Sequence, residues 1–217
     1  MIMHYEQSKP DIKSDLIYSL ESGHHRKSIL SFIRENIIDI SSILLGKANI
    51  NISTFYEDDI SGEITNLLNN KLRELSGYLF RFEAKSGPDI LIFASPYKAF
   101  SEPLFFIEAK RLTPTSSRDY VSSGIGRFKN KEHGKNHDIA AMLGYVQKED
   151  FNYWYGKVNS WIDDLIANPN DYISWSEQDK ITIIQVSEIG EYKSTHSRTE
   201  INLITLYHFW INLCNQQ

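Results

Sequence analysis

The sequence predicts an α/β domain in which helices cover both sides of a central β-sheet. Hydrophobic residues make up 41% and aromatic residues 12% of the 217 residues, which is enough apolar surface for one packed core. Along the chain, the helical spacing of apolar residues gives way to short β-branched and aromatic runs and then returns. Helices and strands that alternate in this way pack as layers on a shared sheet.

Three helices are expected before the first strand. Apolar residues three and four apart predict a short helix over residues 12–21 and a long helix over residues 24–45. A third helix begins near Ser53 or Thr54 and runs to Leu75, after which a serine and a glycine end it.

Strands and further helices are expected after these helices. Three runs rich in β-branched and aromatic residues predict strands over residues 78–82, 89–93 and 104–108. Helical spacing then returns and predicts helices over residues 121–128, 139–146 and 154–165. Two later apolar runs predict a buried strand over residues 181–186 and a C-terminal strand over residues 201–213.

These elements suggest two units, an N-terminal helical segment over residues 1–51 and a core domain over residues 52–217. The helices of the first unit could bind a protein partner or a second copy of the chain. No apolar run reaches the roughly 18 residues that a membrane span needs, and the N-terminus lacks the order of a signal peptide. We therefore expect a cytoplasmic protein that does not bind a membrane.

Composition excludes several kinds of site. The single cysteine, Cys214, can form neither an internal disulfide nor a thiolate zinc site. The formal net charge is −5, which is unusual for a nucleic-acid-binding protein. Residues 110–137, however, carry seven cations against Asp119 and Glu132, a local charge of about +5 that could attract a polyanion. A solvated loop explains the same stretch equally well.

The residues with the clearest chemistry end two of the predicted strands. If residues 89–93 and 104–108 pair as an antiparallel hairpin, the register places Asp89 opposite Glu108, with Cβ atoms roughly 5 Å apart. Residues two apart in a strand face the same side, so Lys110 stands beside Glu108. The pairing therefore brings together two carboxylates and one ammonium group. Singly, each residue could instead belong to a turn or an exposed cross-strand pair.

Carboxylates held together at the edge of an apolar sheet repel each other unless a cation compensates them. Oxygen-only ligation suits Mg²⁺ or Mn²⁺. Such an ion polarises a phosphoryl oxygen and lowers the pKa of a bound water. We expect burial to shift the pKa of Lys110 toward neutrality, so that Lys110 could orient or deprotonate that water and stabilise the charge of the pentacovalent phosphorus. The chemistry implied is phosphodiester hydrolysis.

The Pro88-Asp89 pair followed by Glu108-Ala109-Lys110 resembles the signature of the PD-(D/E)XK nuclease superfamily. The resemblance covers roughly residues 54–146. It implies a restriction-endonuclease-like core with a central mixed β-sheet, Mg²⁺ bound by the aspartate and the glutamate, and water positioned by the lysine. It also implies a further glutamate on the preceding helix.

Glu57 and Glu63 are the candidates for that helix carboxylate. At 100° per residue, Glu57 lies about 20° from the centre of the helix's apolar stripe and Glu63 about 100° away. We therefore assign Glu57 to the site. An alternative is that Glu57 completes a capping box with Thr54 and only satisfies a backbone N–H.

Five further residues are candidate nucleic-acid contacts. Arg127, which follows the glycines at positions 124 and 126 close after the predicted site, and the neighbouring Lys129 and Lys131 could hold phosphates. His196 and Arg198, in a stretch rich in hydroxyl groups, could do the same. A helix surface explains Arg127 equally well, and a polar hairpin turn explains His196 and Arg198.

The expected function is that of a Mg²⁺-dependent nuclease, with DNA the expected substrate and restriction, repair or anti-phage defence the context implied by the resemblance. One alternative is a non-catalytic subunit of the same fold that binds nucleic acid or a protein within a complex. Another is a metal phosphoesterase acting on small phosphates. Whether the enzyme would cut nucleic acid internally or from its ends is left open.

Overall fold

The fold is known from a computed structural model of the chain. It describes residues 24–46, 56–72, 78–82, 88–94, 102–115, 118–169, 173–198 and 202–214. The helices are α1 (His24–Gly46), α2 (Glu57–Leu72), a π-helix (Tyr120–Ile125), α3 (Gly126–Lys129), α4 (Phe151–Ala167) and a 3-10 turn (Glu177–Asp179). The strands are β1 (Tyr78–Phe82), β2 (Ile90–Ala94), β3 (Phe105–Leu112), β4 (Ile139–Val146), β5 (Thr182–Val186), β6 (Ile189–Ser197) and β7 (Leu203–Asn212). The helix predicted over residues 12–21 lies outside the described residues.

The strands form one seven-stranded mixed sheet in the order β1-β2-β3-β4-β7-β6-β5. The central strand β4 runs parallel to both of its neighbours, β3 and β7, and every other described pairing is antiparallel. Helices pack on both sides, since alternate residues of β4 enter two different apolar clusters. The predicted α/β class, with a central mixed sheet flanked by helices, is confirmed.

One of these clusters contains α1, whose apolar stripe is used within the chain. Ile33, Ile37 and Ile40 are at most 1% exposed and pack in the same cluster as residues of the sheet. Arg34 also reaches β6, where its guanidinium lies 2.5 Å from the buried carboxylate of Glu191. This helix is therefore part of the core, and its apolar face is not available for the partner or second copy that the sequence suggested. Among the described helices, none combines the length and the hydrophobicity needed to cross a membrane.

Two predicted elements need correction. Residues 139–146 form strand β4 and not a helix, and all eight are buried. Because both faces of this strand are covered, the chain shows no alternation of apolar and polar residues there, and a continuous apolar run fits a helix equally well. Strand β5 is present, but all five of its residues are exposed because it lies at the edge of the sheet. The predicted C-terminal strand is confirmed as β7.

Candidate active site

The hairpin formed by β2 and β3 has the register expected from the sequence. Ile90 pairs with Ile107, and the same register places Asp89 opposite Glu108. The Asp89 side chain also ties the two strands together, because its Oδ2 accepts a 2.6 Å hydrogen bond from the Ala109 backbone N–H. This bond gives Asp89 a structural role as well as a place in the site.

Three carboxylates surround the ammonium group of Lys110. Its Nζ lies 2.9 Å from Glu57 Oε1, 2.9 Å from Glu108 Oε1 and 3.7 Å from Asp89 Oδ2. Helix α2, the residue before β2 and strand β3 each supply at least one of these groups. The four residues selected from the sequence therefore meet in space.

Glu57 occupies the first turn of α2 and points away from that helix. Its Oε2 accepts a 2.9 Å hydrogen bond from the Arg111 backbone N–H, so the side chain spans two positions of β3. Near the start of the helix it is Asp59, and not Glu57, that accepts the Tyr56 backbone N–H, at 3.3 Å. The capping box proposed for Glu57 involves Thr54, which lies outside the described residues.

Glu108 is fully buried among basic groups. Arg127 Nη1 donates to its Oε1 at 3.0 Å. His133 Nε2 lies 3.2 Å from its Oε2, but the two atoms do not form a hydrogen bond, and neither has another partner among the described residues. Sequence reasoning missed His133, because nothing in the local sequence links it to residue 108.

Lys110 keeps its charge, contrary to the expected shift toward neutrality. Burial by itself lowers the pKa of Lys110, but the carboxylates of Glu108, Asp89 and Glu57 outweigh burial and raise the pKa above its ordinary value. A protonated amine cannot accept a proton. Lys110 in this arrangement is an electrostatic group and not a general base.

The pKa values of Asp89 and Glu108 are shifted in opposite directions. Burial, followed by repulsion from Glu108, raises the pKa of Asp89 to about 7. Burial also acts to raise the pKa of Glu108, but the His133 ring and the Lys110 ammonium outweigh it and lower the pKa. Glu108 is therefore ionised at neutral pH, whereas Asp89 is near its midpoint.

An open cleft of about 390 Å³ gives access to this cluster. Glu57 and Lys110 line it together with Arg111. Hydroxyl groups of Thr113, Thr115 and Ser123 and the carboxylate of Asp119 complete the lining. The cleft thus joins the charged cluster to a polar entrance.

The described residues contain no group of three histidine, cysteine, aspartate or glutamate side chains already arranged to hold a metal ion. The carboxylates surround the Lys110 ammonium group instead. Their chemistry nonetheless fits Mg²⁺ or Mn²⁺, because all donors are carboxylate oxygens and Glu108 Oε2 is buried without a hydrogen bond. With all groups ionised, three carboxylates face the two permanent cations of Lys110 and Arg127, which leaves negative charge for a further cation.

Comparison with known proteins does not assign the chain to a family. No family model, curated protein or solved structure matches it. The interpretation of the site therefore depends on its own geometry and chemistry.

The basic stretch over residues 110–137 is largely neutralised by acids from elsewhere in the chain. Lys110 and Arg127 belong to the acidic cluster. Arg118 pairs with Asp164 at 2.8 Å. The local charge of about +5 read from the sequence does not form a continuous cationic surface.

Two of the predicted nucleic-acid contacts are internal, and for these the prediction is wrong. Lys129 is 4% exposed, and its Nζ lies 2.5 Å from the carboxylate of Asp179. His196 is fully buried in β6, where its Nδ1 lies 2.6 Å from the same carboxylate and its Nε2 lies 2.6 Å from Ser194 Oγ. The predicted polar turn is therefore part of strand β6, where His196 is held by Asp179, which lies on another element, and by the nearby Ser194 hydroxyl.

The other three predicted contacts have different surroundings. Arg127 is partly exposed but engaged with Glu108. Lys131 is half-buried and follows α3 with a positive φ of 66°. Arg198 is 6% exposed, and its Nη1 donates to backbone carbonyls of the loop before β4. For these three residues, phosphate contact stays a prediction.

Sequence reasoning also missed a buried chain of hydrogen bonds. Ser194 Oγ lies 2.7 Å from His208 Nε2, and His208 Nδ1 lies 2.8 Å from the Tyr120 hydroxyl. Trp210 Nε1 donates to that hydroxyl at 2.8 Å. The Asp179 carboxylate can only accept, so His196, whose pKa is lowered by burial, donates to it from Nδ1 and accepts from Ser194 at Nε2. Ser194 therefore accepts from His208 Nε2, and Tyr120 donates to His208 Nδ1. Together with the bond from Ser194 to His196, the chain runs in one direction toward Asp179 and explains the buried polar side chains in this layer.

Proposed function

We propose that the protein is a metal-dependent nuclease of the PD-(D/E)XK type that hydrolyses phosphodiester bonds of nucleic acid, with DNA the expected substrate. The convergence of Glu57, Asp89 and Glu108 around Lys110 carries this proposal. The four residues come from three separate parts of the chain, and Glu57 and Lys110 line an open polar cleft. Restriction, repair or anti-phage defence are contexts that would suit such an activity.

Glu57, Asp89 and Glu108 would hold Mg²⁺ or Mn²⁺. When bound, such an ion supplies a Lewis acid that polarises a phosphoryl oxygen and lowers the pKa of water. Glu108 Oε2 is buried without a hydrogen bond, and the pKa of Asp89 is raised. Both features favour cation binding, because a cation would offset the repulsion between the carboxylates.

Lys110 would contribute positive charge. Since its pKa is raised, the ammonium group would donate hydrogen bonds and stabilise the negative charge that develops on the phosphoryl oxygens. Of the roles considered from the sequence, this keeps charge stabilisation and drops deprotonation of the water. Arg127, with its guanidinium on Glu108, would keep that carboxylate in place.

The cleft would admit the substrate backbone. Thr113, Thr115 and Ser123 supply hydroxyl donors along its wall, and Arg111 adds a positive charge. Hydroxyl and guanidinium groups are common partners of phosphate oxygens. Asp119 in the same wall would disfavour phosphate close to it, so the backbone would approach from the side of Arg111.

The test is cleavage of plasmid, linear duplex and single-stranded DNA and RNA by the purified chain with Mg²⁺, Mn²⁺ or EDTA. We expect cleavage with either ion and none with EDTA. Lys110→Met should lower the rate by a factor on the order of 100, as loss of a charge-stabilising donor does in other enzymes. Lys71→Met is the matched control, since Lys71 forms an exposed pair with Asp39. Cleavage that persists in EDTA, or is unaffected by Lys110→Met, would refute the proposal.

One observation favours the second candidate, a non-catalytic subunit. The carboxylates already have a cation partner in Lys110, so the cluster could be a structural ion network that joins α2, β2 and β3. In that case no nucleic acid is cleaved under any metal condition, and Lys110→Met only lowers stability. A small-molecule phosphoesterase would instead hydrolyse a chromogenic phosphodiester and leave the polymers intact.

A further inference from the structure

An exposed aromatic ring lies beside the cleft of the candidate active site. Tyr56 directly precedes α2 and is 70% exposed, more than any other large hydrophobic residue among those that the structure describes. Its backbone is nonetheless held in place, because its N–H donates to the Asp59 carboxylate and its carbonyl accepts from the Ile60 N–H, both at 3.3 Å. The ring therefore extends into solvent from an ordered backbone position.

Arg111 connects this ring to the cleft. Its guanidinium carbon lies 5.7 Å from the centre of the Tyr56 ring, within the range of a cation–π contact. Arg111 also lines the cleft together with Glu57 and Lys110. Its backbone N–H donates to Glu57 at 2.9 Å, so the carboxylate proposed to bind the metal ion also holds the backbone of Arg111. The ring, the guanidinium group and the candidate metal site are thus neighbours.

An aromatic ring next to a guanidinium group suits a nucleotide whose base is unpaired. The guanidinium group can bind a phosphate oxygen, while the ring stacks on the flat face of a base. Every base has such a face, so this stacking does not depend on sequence. In a duplex, neighbouring base pairs cover these faces, and a base reaches a protein ring only when the helix is locally opened. The pair formed by Tyr56 and Arg111 therefore favours a single strand over a duplex.

We propose that Tyr56 stacks against an unpaired base of the substrate, with Arg111 on an adjacent phosphate. The substrate class is then single-stranded nucleic acid, or a single-stranded segment at the end of a duplex. This substrate class rests on the proposed function, since the acidic cluster beside Arg111 would be the place where the strand is cleaved. The stacking contact itself can be measured as binding, without cleavage.

Fluorescence anisotropy with a labelled oligothymidine, in EDTA so that the strand is not cleaved, tests the stacking contact. The reference is a matched strand that carries the same phosphates but lacks the bases. We expect the wild type to bind the oligothymidine about 5- to 150-fold more tightly than the abasic strand, the range expected for one stacked base.

Variants at position 56 separate the aromatic ring from apolar bulk. Tyr56→Leu keeps the bulk without the ring and should bind the two strands about equally, whereas Tyr56→Phe keeps the ring and should behave as the wild type. Tyr153→Ala is the control, because it removes another exposed tyrosine, on α4, and should change neither affinity.

Equal binding of the two strands by the wild type would overturn the inference, as would a Tyr56→Leu variant that keeps the wild-type ratio. A duplex of oligothymidine with oligodeoxyadenosine that binds as tightly as the single strand would also overturn it. If Mg²⁺ supports no cleavage but the Tyr56-dependent ratio is present, the base-binding site stands and the nuclease proposal fails. If Mg²⁺-dependent cleavage is present and Tyr56→Leu keeps the wild-type preference between single strand and duplex, the base-binding site is wrong and the nuclease proposal stands.

Discussion

Asp89→Asn should make the protein more stable at neutral and alkaline pH while changing its stability little in acid. Burial and the neighbouring Glu108 raise the pKa of Asp89 to about 7 in the folded protein, whereas an unperturbed aspartate has a pKa of 3.8. The folded state therefore binds the proton more tightly than the unfolded state. Between these two pKa values, the wild-type protein loses stability as the pH rises.

The size of this loss of stability follows from the shift in the pKa of Asp89. From 3.8 to about 7 is a little over three pKa units, and each unit corresponds to about 1.4 kcal/mol. Ionisation of Asp89 should thus lower the free energy of unfolding by at most about 4 kcal/mol between pH 4 and pH 8. Asparagine cannot ionise, and its side-chain carbonyl can still accept the Ala109 N–H, so the variant avoids this loss.

Urea denaturation of wild type and Asp89→Asn, followed by circular dichroism across this pH range, measures the difference. We expect the variant's advantage to grow with pH and to shrink when Mg²⁺ is added, because the ion would stabilise the ionised wild-type site. Asp58→Asn, at an exposed position of α2, is the control and should show no comparable trend. Parallel pH profiles for wild type and Asp89→Asn would refute the reasoning about burial and repulsion.

Two further substitutions test the packing around the sheet. Gly144→Ala should cost about 1–3 kcal/mol or more of unfolding free energy, because its Cβ would clash with the Trp210 ring, whereas Gly62→Ala in α2 meets no atom within 4 Å and should be neutral or stabilising. The thermal unfolding midpoints of both variants test this prediction. An unchanged midpoint for Gly144→Ala would contradict the pairing of β4 with β7. Lys129→Met should cost about 3–5 kcal/mol in urea denaturation, because it leaves the buried Asp179 carboxylate without its ammonium partner. A loss below about 1 kcal/mol would show that this pair is not buried as described.

The position of the candidate site could be predicted because it depends on local periodicity. The two-residue alternation of a strand placed Lys110 on the same side as Glu108, and the end-to-end match of two short apolar runs placed Asp89 opposite Glu108. Helical phase likewise selected Glu57 over Glu63. Each of these inferences needs only one element, or two elements joined by a short loop.

The remaining features depend on partners distant in sequence. From the sequence alone, Lys129 and His196 resemble surface residues. In the fold, both bind the carboxylate of Asp179. The charge state of Lys110 could not be predicted either, because burial and three carboxylates act in opposite directions and the balance depends on their distances. Strand β4 resembled a helix because its burial on both faces removes the alternation that marks a strand.

The central claim, that Glu57, Asp89 and Glu108 bind a divalent cation, is tested most directly by the anomalous difference map of crystals soaked in Mn²⁺. We expect a peak in contact with carboxylate oxygens of this cluster, with the Lys110 ammonium displaced from its present position among them. A featureless map at the cluster at full Mn²⁺ exposure, with Lys110 still within 3 Å of Glu57 and Glu108, would contradict the account.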